Sequence, residues 1–228
     1  MSRPLYGGIE AGGTKFVCAA GHGPAEFLPD ARVEIPTSSP SATLRAVAAF
    51  FEQVCQERGP LSGIGIAAFG PVELVDRSPG WGRILATPKP GWSGTSLTEP
   101  LQHFGCPIAI DTDVNAAALA ESHVGAGIGL RSVAYVTVGT GIGGGIVIEG
   151  RSVRGMLHPE MGHILVRRDP RDAEFGGICP FHRDCLEGLA SGPALRARWR
   201  DPVADWPQGH PGFEIVGGYL GQLAATVA

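Results

Sequence analysis

No stretch of this 228-residue chain approaches the roughly 18 uninterrupted apolar residues of a membrane span. The start, Met1-Ser-Arg-Pro, lacks the apolar core of a signal peptide, so a cytoplasmic location and no membrane partner are expected. Basic charge is also missing. The formal net charge is −4 and the arginines are scattered apart from a few in Arg167-Arg168 and Arg196 to Arg200, which leaves no footprint for nucleic acid. An anionic ligand must therefore be held by local groups. Low-complexity segments are absent as well. Cysteine is sparse and odd in number, five in all, which points to thiols or metal ligands rather than a disulfide framework. Cys18, Cys55 and Cys106 lie in apolar surroundings and read as packing. With 43% hydrophobic and 18% charged residues, the chain can bury a substantial core as one large domain or two small ones.

What the sequence has in quantity is glycine, concentrated in two turns. Gly7-Gly-Ile-Glu-Ala-Gly-Gly-Thr-Lys15 and Val138-Gly-Thr-Gly-Ile-Gly-Gly-Gly145 each lie between short apolar runs. Glycine permits positive φ and close backbone approach, so successive N–H groups can converge on phosphate oxygens. Gly139, Gly141 and Gly144 formally satisfy the dinucleotide fingerprint, but a β-branched strand, Ile146-Val-Ile148, follows where that motif needs a helix. The first turn has the order Gly13-Thr14-Lys15 and not the Gly-Lys-Thr of a Walker loop, and again a strand follows, Phe16 to Ala20. Strand, phosphate turn, strand is the pattern left. Two ordinary glycine hairpins are the alternative.

Between the turns, Ser41 to Glu57 has helical periodicity through Leu44, Val47, Ala48 and Phe51, with capping residues ahead of it. Ile64 to Phe69 reads as a buried strand. A proline- and glycine-rich loop from Ser78 to Gly94 carries Trp81 and Trp92, which are either core anchors or a sugar platform. A strand at Pro107 to Ile110 leads into Asp111-Thr-Asp-Val-Asn115 and an alanine-rich helix. Asp111 and Asp113, two apart, share a face if the strand continues, and either could work in a cleft. An Asp before Val-Asn-Ala-Ala-Ala is equally a helix N-cap.

The sharpest chemical signal lies near the end. Cys179, His182 and Cys185 recur at three-residue spacing, and His163 lies upstream in Glu160-Met-Gly-His. Thiolate and imidazole suit zinc, and four protein ligands leave no open position, so the site would be structural. Two unconnected cysteines with a surface histidine are the alternative. A nucleic-acid zinc finger is disfavoured because no basic helix flanks the set. Glu160, His163 and Glu187 are polar groups of this same segment, and capping would explain Glu187 without a ligand.

Seven motifs, in order, resemble the ROK family of sugar kinases and most of all its zinc-containing fructokinases. They are Glu-Ala-Gly-Gly-Thr-Lys15, Gly-Ile-Ala-Ala-Phe-Gly-Pro71, Thr-Pro-Lys-Pro-Gly-Trp92, Asp-Thr-Asp-Val-Asn-Ala-Ala-Ala118, Gly-Thr-Gly-Ile-Gly-Gly-Gly145, His-Pro-Glu-Met-Gly-His163 and Cys-Pro-Phe-His-Arg-Asp-Cys-Leu-Glu-Gly188. The resemblance implies an actin-like ATPase (ribonuclease H-like) fold of two α/β domains with a cleft between them. Residues 1–112 would form the first domain with one phosphate hairpin, and 113–228 the second with the other hairpin and the zinc loop. The chain ends in helical sequence before the later glycine-rich strand of the family, so the C-terminal part is expected to be incomplete.

The resemblance further implies ATP-dependent phosphorylation of fructose at its 6-hydroxyl, with ATP, Mg2+ and a structural Zn2+, in a homodimer. Asp113 matches the catalytic base. Glu160, His163 and Glu187 match sugar contacts, with His163 also matching a zinc ligand beside Cys179, His182 and Cys185. Gly12, Gly13, Thr14 and Lys15 match one phosphate grip, Gly139, Thr140 and Gly141 the other, and Glu10 stands near magnesium. A broader hexokinase or glucokinase, or an inactive sugar-binding remnant, are the alternatives. A sugar-responsive repressor is excluded by this reading, because the first phosphate turn opens at Gly7 with no room for a helix-turn-helix ahead of it.

Overall fold

In the computed structural model, residues 3–155, 158–199 and 202–228 are described; the first two residues of the start discussed above lie outside them. The chain divides into two compact units, Met1–Val133 with Ile146–His158, and Ala134–Gly145 with Pro159–Ala228.

The first unit is built on a five-stranded sheet. Its strands are β1 (Tyr6–Ala11), β2 (Lys15–Gly21), β3 (Phe27–Pro36), β4 (Gly63–Ala68) and β5 (Ile108–Thr112), in the spatial order β3-β2-β1-β4-β5. The hairpin strands β1 and β2 pair antiparallel, as do β2 and β3, while β4 runs parallel to both β1 and β5. Helix α1 (Pro40–Arg58) makes the crossover from β3 to β4. Proline in its first turn loses no helical hydrogen bond, and Gly59 beyond its last residue adopts φ +97°. Leu44, Val47, Phe51 and Val54 recur at three- and four-residue steps and are all buried. Phe51 presses against β1 at Gly7, where a Cβ would lie only 2.7 Å from the ring.

Register aligns the carboxyl ends of the parallel strands. Glu10 lies opposite Ala67, and Ala67 opposite Asp111. The next row is Ala11, Ala68 and Thr112. All three parallel strands therefore end on one edge, β1 entering the first glycine turn and β5 entering helix α2 (Asp113–Val124). Neighbouring strands lie about 4.8 Å apart, so the first residues past β1 and β5 are brought within about 10 Å of each other. The carboxyl ends of parallel strands are where α/β sheets present ligand groups.

A second sheet has the order β6-β7-β8, from Ser132–Val138, Ile142–Ile148 and Arg151–Ser152, and the division between units falls within it. In the second unit, α3 (Leu186–Ala190), α4 (Gly192–Arg198) and α5 (Pro211–Val227) follow the cysteine segment. A buried Asp172 accepts hydrogen bonds from the Tyr219 hydroxyl of α5 at 2.7 Å and from Arg198 of α4. The Arg198 guanidinium also lies over the rings of Phe175 and Trp199, at 4.5 and 4.2 Å from their centroids. Among the described residues, no helix is long and apolar enough to cross a membrane.

The tight contact at Gly7 generates a test. Gly7→Ala should destabilise the fold by about 1–3 kcal/mol, because the ring of Phe51 has nowhere to move in a filled core. Gly65→Ala, where a Cβ meets nothing within 4 Å, should change stability by about 0.5 kcal/mol or less. Urea unfolding of both variants checks the contrast.

Candidate active site

At the end of β5 the two aspartates part company. Asp111 is buried, and four donors converge on its carboxylate. Oδ1 accepts from the Thr112 N–H and the Asn115 side-chain amide, both at 2.8 Å. Oδ2 accepts from the Ser152 hydroxyl and from Arg154, both at 2.7 Å. Burial alone would push its pKa up, but these bonds outweigh it and the net shift is downward. Asp111 is thus an ionised structural anchor tying β8 and Arg154 to the β5–α2 junction.

Asp113 is the first residue of α2 and not its cap; that role falls to Thr112, whose hydroxyl accepts from the Asn115 N–H at 3.2 Å. The Asp113 side chain folds back to its own helix start, where Oδ1 accepts from the Val114 N–H at 2.8 Å. The residue stays open to solvent, yet its pKa is raised. Loss of hydration among the surrounding groups is the main cause, and the negative charge of Glu10 adds to it against the Val114 bond and the nearby His158. A carboxylate with a raised pKa at a strand end is suited to take up a proton.

The first glycine turn is braced from two sides. Within it, the Gly12 N–H donates to the Lys15 carbonyl at 3.0 Å. From β3 onward, the Thr37 hydroxyl donates to the Gly12 carbonyl at 2.8 Å, and the Thr37 N–H to the Thr14 carbonyl at 2.9 Å. From the Trp loop, Lys89 donates to the Gly13 carbonyl. Neither Thr37 nor Lys89 stands out as a site residue in the sequence, although Lys89 lies inside the Thr-Pro-Lys-Pro-Gly-Trp motif. Trp92 is fully buried, which makes it a core anchor; Trp81 is half-buried.

In the second unit the other glycine turn meets the cysteine segment. Glu187, in the first turn of α3, accepts from the Ile142 N–H at 2.9 Å. Gly141 leaves room for that carboxylate, since a Cβ there would lie 2.6 Å from its Oε2. The Gly192 N–H donates to the Gly139 carbonyl at 2.8 Å, closing the turn against the start of α4. Glu187 thus lies immediately beside this turn, a link that the linear sequence did not reveal.

His163, Cys179, His182 and Cys185 come together as expected, their ligand atoms all within 4.8 Å of one another. His163 Nδ1 is 3.7 Å from Cys179 Sγ and 3.5 Å from Cys185 Sγ, and His182 Nδ1 is 3.9 Å from Cys179 Sγ. A tetrahedral zinc bonded at about 2.3 Å to sulfur and about 2.0 Å to nitrogen has S···N edges of about 3.6 Å. The donor set therefore fits a closed zinc site. Burial pushes the Cys185 thiol up to about 11, with Cys179 adding to the rise, so a bound cation is what would favour thiolates here. His163 turns Nδ1 to the sulfurs, while its Nε2 lies 4.0 Å from Glu160.

The ROK family profile matches residues 6–217. A fructokinase of Zymomonas mobilis is 44% identical over 229 residues, covering 99% of this chain and 75% of that protein. A fructokinase of Pediococcus pentosaceus is 39% identical over 224 residues, covering 98% and 75%. Among solved structures, a ROK hexokinase from Thermus thermophilus superposes with a TM-score of 0.77 at 30% identity, covering 97% of this chain and 76% of that one. The chain belongs to the ROK family. The mixed α/β, actin-like ATPase architecture expected from the motifs is borne out by these relatives.

The Asp111 anchor yields a pH-dependent expectation. Its folded pKa lies below the unfolded value, so its contribution is complete above the unfolded pKa and is lost as pH falls through the folded one. Asp111→Asn should cost about 1–3 kcal/mol at pH 7 by leaving Arg154 without its charged partner. The gap between wild type and variant should narrow on acidification, as read by urea unfolding across pH 3 to 7.

Proposed function

We propose that this chain is an ATP-dependent fructokinase that transfers the γ-phosphoryl group of ATP to the 6-hydroxyl of fructose. The observation that carries the reaction type is Asp113, a solvent-open carboxylate of raised pKa at the strand edge that also bears the glycine turn. Family membership supports sugar and ATP as substrates. The choice of fructose rests on the relatives, since identity is 44% and 39% to fructokinases and 30% to the hexokinase.

In this reading Asp113 accepts the proton of the attacking hydroxyl. Glu160, His163 and Glu187 contact the sugar, and the turns Gly12 to Lys15 and Gly139 to Gly141 seat the phosphates. Phosphoryl transfer needs positioning and charge stabilisation more than a strong base, so a single carboxylate suffices. Glu10 is the proposed carboxylate near magnesium, which when bound would neutralise charge on the phosphates. The four Cys and His ligands are the proposed zinc site. Its task would be structural, fixing the segment that delivers Glu187 to Ile142.

A coupled assay for ADP release with fructose, glucose and mannose tests the proposal. Fructose should be strongly preferred, and comparable kcat/KM for all three would replace it with a broad hexokinase. Asp113→Asn should lower kcat by about 100- to 10,000-fold with little change in either KM; near-normal turnover would remove Asp113 as the base. In the wild type, kcat should fall on acidification with a midpoint above the usual aspartate range, because the protonated form cannot accept the proton. Metal analysis of purified protein should return about one zinc per chain. Cys185→Ser should lose that metal and unfold at lower temperature, and full metal retention would exclude the assigned ligands.

A further inference from the structure

The Gly-Gly-Thr-Lys order makes Lys15 the obvious cation for a phosphate at the first turn, but its side chain is directed elsewhere. Lys15 Nζ donates to Glu34 Oε2 of β3 at 2.7 Å. Arg32 holds the other oxygen of the same carboxylate at 2.7 Å, and the two partners lower the pKa of Glu34. Lys15 thus faces the neighbouring strand, with its charge already matched.

A different lysine occupies the tip of the turn. Lys89 donates to the carbonyl of Gly13 and, among the described residues, joins no ion pair within 4.0 Å. An ammonium has three donors, and a carbonyl uses one of them without neutralising the charge. The space beside Gly13 is open, since a Cβ there meets nothing within 4 Å. The loop that presents Lys89 is firmly seated. Trp92 lies 5.4 Å from Phe16 and 5.7 Å from Phe69, ring centre to ring centre, and its indole N–H donates to the Ser38 carbonyl at 3.0 Å. The Trp92 N–H also donates to the Lys89 carbonyl at 3.2 Å. A cation placed before the substrate arrives stabilises developing charge with little reorganisation.

We infer that Lys89, and not Lys15, is the cation that meets the terminal phosphate at the first glycine turn and stabilises the phosphoryl group in transit. The inference rests on the kinase reading above. In the step it serves, the bond between the sugar oxygen and the γ-phosphorus forms as the bond from phosphorus to the bridging oxygen breaks. The electron pair of the broken bond leaves with ADP, the hydroxyl proton passes to Asp113, and Lys89 keeps its protons throughout.

The test compares Lys89→Gln, Lys89→Arg and Lys15→Met with wild type by steady-state kinetics, and by calorimetric affinities for Mg-ATP and Mg-ADP. Glutamine keeps a side-chain N–H donor but carries no charge. Lys89→Gln should lower kcat about 100-fold with the KM for fructose unchanged, and should erase whatever preference the wild type has for ATP over ADP. Lys89→Arg should recover most of the loss, and Lys15→Met should lose less than Lys89→Gln. A folded Lys89→Gln protein with wild-type kcat would overturn the assignment. So would a larger loss in Lys15→Met, or a Lys89→Gln defect confined to the KM for fructose, which would make Lys89 a sugar contact. Wild-type protein that phosphorylates no sugar would sink the proposed function and not this assignment, which the ATP-against-ADP comparison tests by itself.

Discussion

Four hydrogen-bond donors converge on the buried carboxylate of Asp111, and the β5–α2 junction at the edge of the first unit depends on that convergence. A buried carboxylate without partners would be driven to its neutral form. With Arg154, Ser152, Asn115 and the Thr112 N–H around it, the charge is retained and becomes a cross-link between β5, α2 and the segment after β7. Two residues further on, the chain has already turned into α2, so Asp113 emerges where Asp111 is enclosed. Asp111 is committed to structure, while Asp113 stays open to solvent.

The glycine turns follow the same division between support and exposure. Each is held by side chains or backbone from elsewhere in its own unit: Thr37 and Lys89 on the first, Glu187 and Gly192 on the second. Glycine matters at Gly141 because a side chain would displace the Glu187 carboxylate, and at Gly7 because Phe51 needs the space. In the second unit the cysteine and histidine set lies directly before α3, so anything that orders those four ligands also orders Glu187. Metal bound by such a donor set would contribute directly to folding.

Much of this was legible from spacing alone. Cys179, His182 and Cys185 are near neighbours along the chain, so their gathering required little of the fold, and only His163 came from a distance. The period of Leu44, Val47 and Phe51 announced α1, and the β-branched run after Gly145 correctly ruled out a dinucleotide motif. Less legible was the choice between Asp111 and Asp113. Their two-residue spacing placed them on one face only if the strand continued, whereas the strand stops at Thr112 and a helix begins at Asp113. Thr112 then caps the helix, a role the sequence offered equally to the aspartate.

By itself, then, the sequence determined the residues with chemical capacity, the two backbone turns and the ligand set, because each is written in short-range spacing. Tertiary structure alone decided which members of those groups are available. Glu10, Ala67 and Asp111 fall into one row only because β1, β4 and β5 lie side by side and parallel, and Lys89 reaches Gly13 only because Trp92 pins its loop against β2. Contacts between residues dozens of positions apart depend on strand order and register, and no local pattern carries that information.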